Sequence, residues 1–438
     1  MQTITRMSRT LQSLFGAQAD QLARETGLVQ REVKVTGSNF AQTLVFGFLD
    51  NPKMSYRQMS QAGGLSGLKI TPQGLEQKFS AASANFMQRL LEQAVKQLIE
   101  HSGRTEVNVL QRFSRIHIQD GSVIGLPDEC VGVWQGVRPK EQKGCSALKL
   151  HVDLEYKSGQ VAVALAPGRE HDQKSPFFCQ TLRAGELRLT DLGFFNLGQL
   201  EQDAQAGGFW IIRHKADVML YHNDEPMALL PFLRKQTDTH LDLLVQLGKN
   251  HRIPCRLIAI KVDEQTAAQR IRKLREYARR KQVALSAERL ELAHWTLLLT
   301  NAPLDLLSLV EVCALLRLRW QIELLFRLWK TYTFLDESES QNPWRILTEI
   351  YAKLLAVLIQ HWLLLASIWH NPHKSIVHAS LTIQKFALLL HLSIDDLTAL
   401  RASLRTIVTV LQSSPNLLQR KKRPSTSQIL HNPDLALC

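Results

Sequence analysis

The segment that decides the fold is LLRLRWQIELLFRLWK, residues 315–330. At 3.6 residues per turn, Arg319, Glu323, Arg327 and Lys330 fall on one narrow stripe, spaced by four, four and three residues. The other faces are nearly all Leu, Ile, Phe and Trp, which predicts one helix that is buried on most sides. A single acid among three bases in a buried helix indicates a carboxylate that binds a cation, flanked by bases that bind phosphates. The alternative is a surface helix with i,i+4 ion pairs.

Two upstream segments each place an aspartate on the apolar face of a strand. The pattern FSRIHIQD at residues 113–120 ends in Asp120, and ELRLTD at residues 186–191 ends in Asp191. In both, the aspartate continues a row of apolar residues with period two. A carboxylate in such a row is costly unless it is paired or binds a cation. The repetition predicts a shared metal site, with Asp172 as the substitute ligand should Asp191 fail.

The three carboxylates of Asp120, Asp191 and Glu323 supply hard oxygen ligands, which suit Mg²⁺ or Mn²⁺. Two such ions would activate a water or a 3′-hydroxyl and stabilise the leaving oxygen of a phosphodiester. This chemistry requires no protein nucleophile. Nearby arginine and lysine side chains would hold the flanking phosphates.

The composition agrees with a soluble protein that binds a polyanion. The chain has 438 residues, which predicts two or three domains, and 53 Lys and Arg against 40 Asp and Glu give a net charge of +13. DNA or RNA is the leading partner, ahead of an anionic membrane surface. The six cysteines form no CxxC pair and no zinc-ligand spacing, so free thiols in a reducing cytosol are expected.

The periodicity predicts a mixed α/β (α+β) fold. Strands are expected at residues 113–120, 147–156, 160–166, 186–191, 208–213, 255–262 and 296–300. Helices dominate before residue 100 and after residue 306. Residues 214–292 are expected to form a self-contained insertion that ends in a basic helix, which is either a solvated face or a track for phosphates.

Four smaller features carry further predictions. A short helix at residues 55–61, glycines at 63, 64 and 67, and a second helix that starts at Thr71-Pro72 have the outline of a helix-turn-helix, with an ordinary helical hairpin as the alternative. The apolar stretch 354–369 is expected to be a buried core helix and no membrane span. Asp153 belongs to a polar row, also containing Lys149, His151 and Glu155, that is expected at the surface. Residues 420–423 are expected to be a flexible basic tail.

The glutamate segment resembles the DDE transposases of bacterial insertion sequences, in the branch named for a Tyr-Arg-Glu-Lys signature (the IS-four family). That signature sets arginine four residues before the catalytic glutamate and lysine seven residues after it. Arg319, Glu323 and Lys330 match both spacings. The resemblance extends over about residues 10–370.

Three other motifs carry the same resemblance. The first aspartate stands in IQDGS, residues 118–122, and the second in DLGF, residues 191–194, which matches the Asp-x-Gly-aromatic pattern. The segment HWTLLLTN at residues 294–301 matches the tryptophan and strand that precede the glutamate helix. The insertion at residues 214–292 has the position and size that the family shows.

The resemblance implies a ribonuclease-H-like catalytic core interrupted by a β-rich insertion, with helical N- and C-terminal regions. The implied segments are a helical DNA-end-binding domain (1–105), the first part of the core (106–213), the insertion (214–292), the second part of the core with the glutamate helix (293–370), and a helical C-terminal region with the basic tail (371–438).

The resemblance also implies roles for individual residues. Asp120, Asp191 and Glu323 would be the catalytic metal ligands for two Mg²⁺ ions, with Mn²⁺ as a possible substitute. DNA contacts would come from Arg213, Trp295, Arg319 and Lys330, with the Trp295 ring stacked on a flipped base. The implied partners are the terminal inverted repeats of the element, target DNA and a second copy of the chain in a homodimer. The implied location is the cytoplasm, at the nucleoid.

One departure from the signature leaves alternatives open. Leu316 stands three residues before Arg319, where the signature has tyrosine, and a leucine cannot hydrogen-bond a phosphate. We therefore expect altered binding of the DNA ends with intact metal chemistry. The alternatives are a metal-dependent, structure-selective nuclease and a catalytically inactive, DNA-binding descendant of a transposase.

Overall fold

The computed structural model describes residues 2–31, 34–97, 99, 107–137, 145–338, 340–369, 371, 373–414 and 424–436. The predicted basic tail at 420–423 lies outside these residues. By its internal contacts the chain divides into unit 1, comprising Met1–Arg104, Gly121–Glu170 and Gln321–Arg420, and unit 2, comprising Thr105–Asp120, His171–Trp320 and Lys421–Cys438. The boundaries of these two units differ from the boundaries of the five segments that the resemblance implies. The roles of those segments remain predictions.

The α-helices of the described residues are α1 (Gln2–Ser13), α2 (Ala19–Glu25), α3 (Gly37–Asp50), α4 (Tyr56–Gly63), α5 (Pro72–Glu76), α6 (Ala81–Val95), α7 (Asn108–Gln111), α8 (Leu197–Gln205), α9 (Leu229–Arg234), α10 (Glu264–Lys281), α11 (Ala287–Glu291), α12 (Leu309–Leu318), α13 (Trp320–Thr333), α14 (Pro343–Ser367), α15 (Ile376–Gln384), α16 (Ala387–Ser393), α17 (Leu397–Ser413) and α18 (Thr426–His431). The strands are β1 (Ile116–Leu126), β2 (Ser146–Glu155), β3 (Gln160–Pro167), β4 (Leu187–Leu189), β5 (Phe209–Arg213), β6 (Leu220–His222), β7 (Glu225–Met227), β8 (His240–Leu247), β9 (Ile253–Lys261) and β10 (Trp295–Thr300). This mixture, with helices at both ends of the chain, confirms the predicted α+β class.

Unit 1 is built around the apolar helix α14. This helix is long and apolar enough to cross a membrane, but 89% of its most apolar window is buried inside the protein. It packs on α3, α6 and α17 of the same unit. The predicted core helix is therefore confirmed, with a start eleven residues earlier than expected.

Strands β2 and β3 of unit 1 form the predicted hairpin. They pair antiparallel from Glu155↔Gln160 to Leu148↔Pro167, and Gly159 in the turn has a φ of +73°, which favours glycine. The prediction that the polar row of β2 is at the surface was wrong. His151 is fully buried and lies 3.2 Å from the Glu170 carboxylate, and Lys149 donates to the Glu170 carbonyl oxygen at 2.7 Å. Both faces of β2 are covered, and Glu170 supplies the partners of Lys149 and His151.

The N-terminal part of unit 1 contains the two helices of the predicted helix-turn-helix. Ser55 caps α4 and Thr71 caps α5, each with its side chain accepting a hydrogen bond from the backbone, and Pro72 occupies the first turn of α5. Gly67 between the helices has a φ of +73°. Whether this pair of helices binds DNA stays a prediction.

Unit 2 is built on strands in the order β1-β4-β5-β10-β9-β8-β6-β7. Strands β1, β4 and β5 are parallel, whereas the pairs from β5–β10 to β6–β7 are antiparallel. The segment 214–292 was expected to be self-contained, and that expectation was wrong. Strand β9 pairs with β10 from Trp295↔Lys261 to Thr300↔Arg256, so the strands of the insertion extend the core sheet.

Burial of His361 on α14 predicts acid sensitivity of unit 1. Its Nε2 lies 2.6 Å from the Gly159 carbonyl oxygen, and burial lowers the pKa of the imidazole from 6.5 to about 4. The imidazole of the unfolded chain is therefore protonated below about pH 6.5, whereas that of the folded chain is protonated only below about pH 4. The free energy of unfolding should fall over this interval, by about 3 kcal/mol from this group.

We expect the pH dependence of the unfolding free energy between pH 6.5 and pH 4 to be shallower in His361→Gln than in the unsubstituted protein, measured by denaturant titration. His378→Gln is the matched control, because His378 is exposed on α15. Parallel profiles for His361→Gln and the unsubstituted protein would contradict this account.

Candidate active site

Asp120 and Asp191 follow a pair of neighbouring residues on two parallel strands. Ile118 of β1 is paired with Leu189 of β4, and each aspartate comes two residues later in the chain. Asp120 is still within β1, whereas Asp191 lies just beyond the end of β4. Strand β5 continues the arrangement, because Leu189 is paired with Ile211 and Arg213 again follows two residues later.

Asp120 does not end its strand, contrary to the sequence prediction. Strand β1 continues to Leu126, because the alternation of buried residues resumes beyond the aspartate at Ser122 and Ile124. Asp120 does lie on the buried face as predicted. Its side chain is 17% exposed, and one carboxylate oxygen is 3.7 Å from the Arg319 guanidinium.

Asp191 lies two residues beyond β4 and begins a tight turn, whereas the sequence predicted that the strand would extend to it. Its carboxylate accepts a hydrogen bond from the Gly193 amide at 2.8 Å, which fixes its direction. A Cβ atom on Gly193 would lie 2.8 Å from an Asp172 carboxylate oxygen and 3.1 Å from an Asp191 carboxylate oxygen. Glycine at this place in the Asp-x-Gly-aromatic motif leaves room for the two carboxylates, which a larger residue would push aside. The sequence indicated Asp172 only as a substitute, whereas the structure sets it beside Asp191.

Arg319 lies where two helices meet. The sequence predicted one helix through residues 315–330, but α12 ends at Leu318, Arg319 forms the junction, and α13 begins at Trp320. The start of α12 is fixed within unit 2 by Arg112, whose guanidinium donates to both carboxylate oxygens of Glu311 at 2.9 and 2.7 Å. The predicted stripe of four residues is therefore divided between the junction and α13.

Glu323 and Lys330 lie on α13, in the part of the chain that belongs to unit 1. Glu323 is in the first turn of this helix and is partly buried. The Lys330 ammonium donates to the Val123 carbonyl oxygen at 2.9 Å, which holds the helix against the second half of β1. Glu323 is thus one helical turn after Arg319 in the chain.

The two tryptophans near this segment differ in exposure. Trp295, which was expected to stack on a base, is only 9% exposed and packs against Leu233, Leu241 and Ala259. Trp320, for which the sequence predicted no role, is 47% exposed. Its position directly after Arg319 could have indicated a functional role, but the helical pattern predicted that this helix is mostly buried.

The residues around Asp191 fit a hard divalent cation. The space beside Gly193 that a Cβ would fill is bounded by oxygens of two carboxylates, the ligand type that Mg²⁺ and Mn²⁺ prefer. Within the described residues, His, Cys, Asp and Glu side chains form no group of three or more that could hold a metal ion. The fit therefore rests on the donor chemistry of Asp191 and Asp172 and on the pairing of β1 with β4, which precedes both Asp120 and Asp191 by two residues.

Comparisons with known proteins point to one family. A family model described as the transposase DDE domain matches residues 111–359. The chain is 25% identical over 367 residues to the transposase for insertion sequence element IS231F of Bacillus thuringiensis subsp. israelensis, covering 78% of this chain and 76% of that protein. It is 21% identical over 387 residues to the transposase for IS1151 of Clostridium perfringens, covering 82% and 81%. The putative transposase InsL for IS186A of Escherichia coli K12 is 27% identical over 255 residues, covering 56% and 65%.

Replacing Gly193 with alanine should weaken divalent-cation binding. The added methyl group would displace the Asp172 and Asp191 carboxylates, and we expect Mn²⁺ affinity to fall at least about tenfold. The measurement is the rise in melting temperature as Mn²⁺ is titrated into the metal-free protein. Gly198→Ala is the control, because its Cβ would be 3.4 Å from its nearest neighbour, Asn196 Oδ1. Equal affinity in Gly193→Ala and the unsubstituted protein would show that this turn is not a cation site.

Proposed function

The chain belongs to the DDE transposase family, and from this premise we propose that it moves an insertion sequence by a cut-and-paste route. As a family member it is an enzyme that cleaves DNA and transfers strands. In the proposed route, the enzyme binds the terminal inverted repeats, hydrolyses the 3′ ends, releases the element through hairpin intermediates and joins it to target DNA.

The observation that carries this proposal is the register of the parallel strands. Asp120, Asp191 and Arg213 each follow two residues after a mutually paired position on β1, β4 and β5. This register supports a site in which the two acids and the base come together at one edge of the sheet. This arrangement suits a phosphodiester that is bound by carboxylate-held cations on one side and by a guanidinium on the other.

We propose Asp120, Asp191 and Glu323 as the residues that hold Mg²⁺. Divalent metal chemistry is general for the family, and two bound ions would supply an activated hydroxyl group and charge stabilisation for the leaving oxygen. The Gly193 amide orients Asp191 for this task. Glu323 rests on the signature spacing, four residues after Arg319 and seven before Lys330.

The basic residues would hold the DNA end. Arg319, 3.7 Å from Asp120, is at a position to bind a phosphate next to the carboxylate, and its planar guanidinium suits two phosphate oxygens. Arg213 is exposed at the end of β5. Lys330 would add a point charge. Leu316 offers no such contact, so the binding of the ends is expected to depend more heavily on these three bases.

The remaining parts of the proposal concern assembly. Two ends must be cut together, so we propose a homodimer that bridges both terminal repeats. Because DNA is the substrate, we also propose that the enzyme acts in the cytoplasm, at the nucleoid. We propose that the helix-turn-helix of α4 and α5 binds the repeats. The exposed side chains of these two helices would recognise the sequence of the repeats.

Loss of the glutamate should abolish cleavage. In Glu323→Gln, we expect Mg²⁺-dependent cleavage of labelled DNA carrying the element's own ends to fall at least about a hundredfold, because a neutral amide binds the cation poorly. Glu288→Gln, at an exposed glutamate of α11, should cleave normally. Cleavage without joining to target DNA would support the nuclease alternative. Binding without cleavage by the unsubstituted enzyme would support the inactive descendant.

For the stacking role, we propose Trp320 in place of Trp295. A ring must be exposed to stack on a base, and stacking contributes about 1–3 kcal/mol per base. In Trp320→Ala we expect less fluorescence change of 2-aminopurine placed at the cleaved end, with unchanged protein stability. In Trp295→Ala we expect a loss of about 3–5 kcal/mol in stability from the vacated core. The reverse pattern would restore Trp295 as the stacking residue.

A further inference from the structure

Helix α10 carries an excess of positive charge that the proposed active site does not use. Its eighteen residues contain seven bases and two acids. Burial places Ala267 and Ala278 toward the rest of unit 2, so the helix has an inner apolar face. The bases on the exposed surface are Arg272, Lys273, Arg275, Arg279, Arg280 and Lys281.

The exposed bases form rows along one side of the helix. Arg272, Arg275 and Arg279 are spaced by three and four residues, and Lys273 and Arg280 lie seven residues apart beside them. Arg272 pairs with Glu276 at 3.0 Å, but both side chains are largely exposed, so this pair adds little to stability. The helix dipole favours bases in the last turn, which accounts for residues 279–281 and leaves those at 272–275 unexplained. Like charges at these spacings destabilise a helix unless a polyanion binds them.

The helix is fixed to the sheet by Arg270. Its guanidinium donates to the Trp295 carbonyl oxygen at 3.0 Å and to Thr296 Oγ1 at 2.8 Å. Burial and the nearby charge of Arg213 lower the pKa of Arg270. These hydrogen bonds join α10 to β10, so the basic rows are attached to the sheet of unit 2.

We propose that the exposed basic face of α10, defined by Arg272, Lys273, Arg275, Arg279 and Arg280, binds the phosphate backbone of duplex DNA without reading its sequence. The proposal rests on the proposed function, because DNA is the substrate there. From Arg272 to Arg279 the helix rises about 10 Å, which corresponds to about three phosphate spacings along one strand. The row of three arginines thus spans a stretch of about four phosphates.

The chemistry of this face favours DNA over a lipid surface. A helix that lies on a membrane inserts a row of apolar side chains between its bases. In α10 the apolar residues Ala267 and Ala278 are buried within unit 2, and the exposed rows are guanidinium and ammonium groups with the single aromatic ring of Tyr277 beside them, which does not make an apolar row. A surface of this kind binds by releasing counterions from a polyanion, so its contribution must depend steeply on salt.

The test measures the affinity of the full-length protein for a fluorescent duplex of random sequence, in EDTA, as a function of salt concentration. In the triple variant Arg272→Gln, Arg275→Gln, Arg279→Gln, we expect the slope of log affinity against log salt to shrink by about 0.9 for each lost contact, and the affinity at 50 mM salt to fall at least about tenfold. Glutamine has the helix propensity of arginine, so α10 should remain folded.

Two further variants keep the test specific. Arg272→Lys, Arg275→Lys, Arg279→Lys preserves the charge and should retain most of the slope. The control Arg183→Gln, Lys235→Gln, Lys249→Gln removes three exposed bases of unit 2 from outside α10 and should bind as the unsubstituted protein does.

An unchanged slope in the glutamine variant, an equal loss in the control variant, or no binding of the random duplex by the unsubstituted protein would each overturn the proposal. Failure of the proposed function is distinguishable, because it would show as absent cleavage of the element's ends in Mg²⁺ by a protein that binds the random duplex.

Discussion

The parallel pairing of β1, β4 and β5 is the constraint on which the rest of the site depends. In this register Ile118, Leu189 and Ile211 lie side by side, so the residues two positions further along are presented together. A shift of one strand by a single residue would turn its functional side chain to the opposite face of the sheet. The buried apolar residues that precede each functional position therefore fix the chemistry as well as the fold.

Around this register, small features refine the positions of the charged groups. The Gly193 amide holds the Asp191 carboxylate, and the missing side chain of the glycine leaves room for Asp172. Arg319 at the junction of α12 and α13 reaches Asp120. Partly buried carboxylates of this kind are costly unless cations compensate them, so the arrangement is consistent with a site that binds both metal ions and phosphates.

Much of the fold follows from local periodicity, and the errors arise where tertiary contacts decide. The hairpin of β2 and β3, the core helix α14 and the aspartates on the buried face were all predictable from spacing. The extension of β1 beyond Asp120 was not, because Gly121 and Ser122 interrupt the apolar pattern.

Other differences could not be read from local sequence. The break at Arg319 lies within an uninterrupted helical pattern, and buried His151 has its partner in Glu170, nineteen residues away in the chain. The pairing of β9 with β10 is likewise non-local. Family resemblance supplied the candidate roles, but exposure separates Trp295 from Trp320.

The central claim is that Asp120, Asp191 and Glu323 hold divalent cations. The most direct measurement is anomalous X-ray scattering from crystals of the protein with Mn²⁺ and DNA ends that have already been cleaved, comparing the unsubstituted protein with Asp120→Asn. The account predicts manganese peaks bonded to carboxylate oxygens of Asp191 and Glu323, with the Asp120 contact present only in the unsubstituted protein. Manganese held by other residues, or no peak beside Asp191, would contradict it.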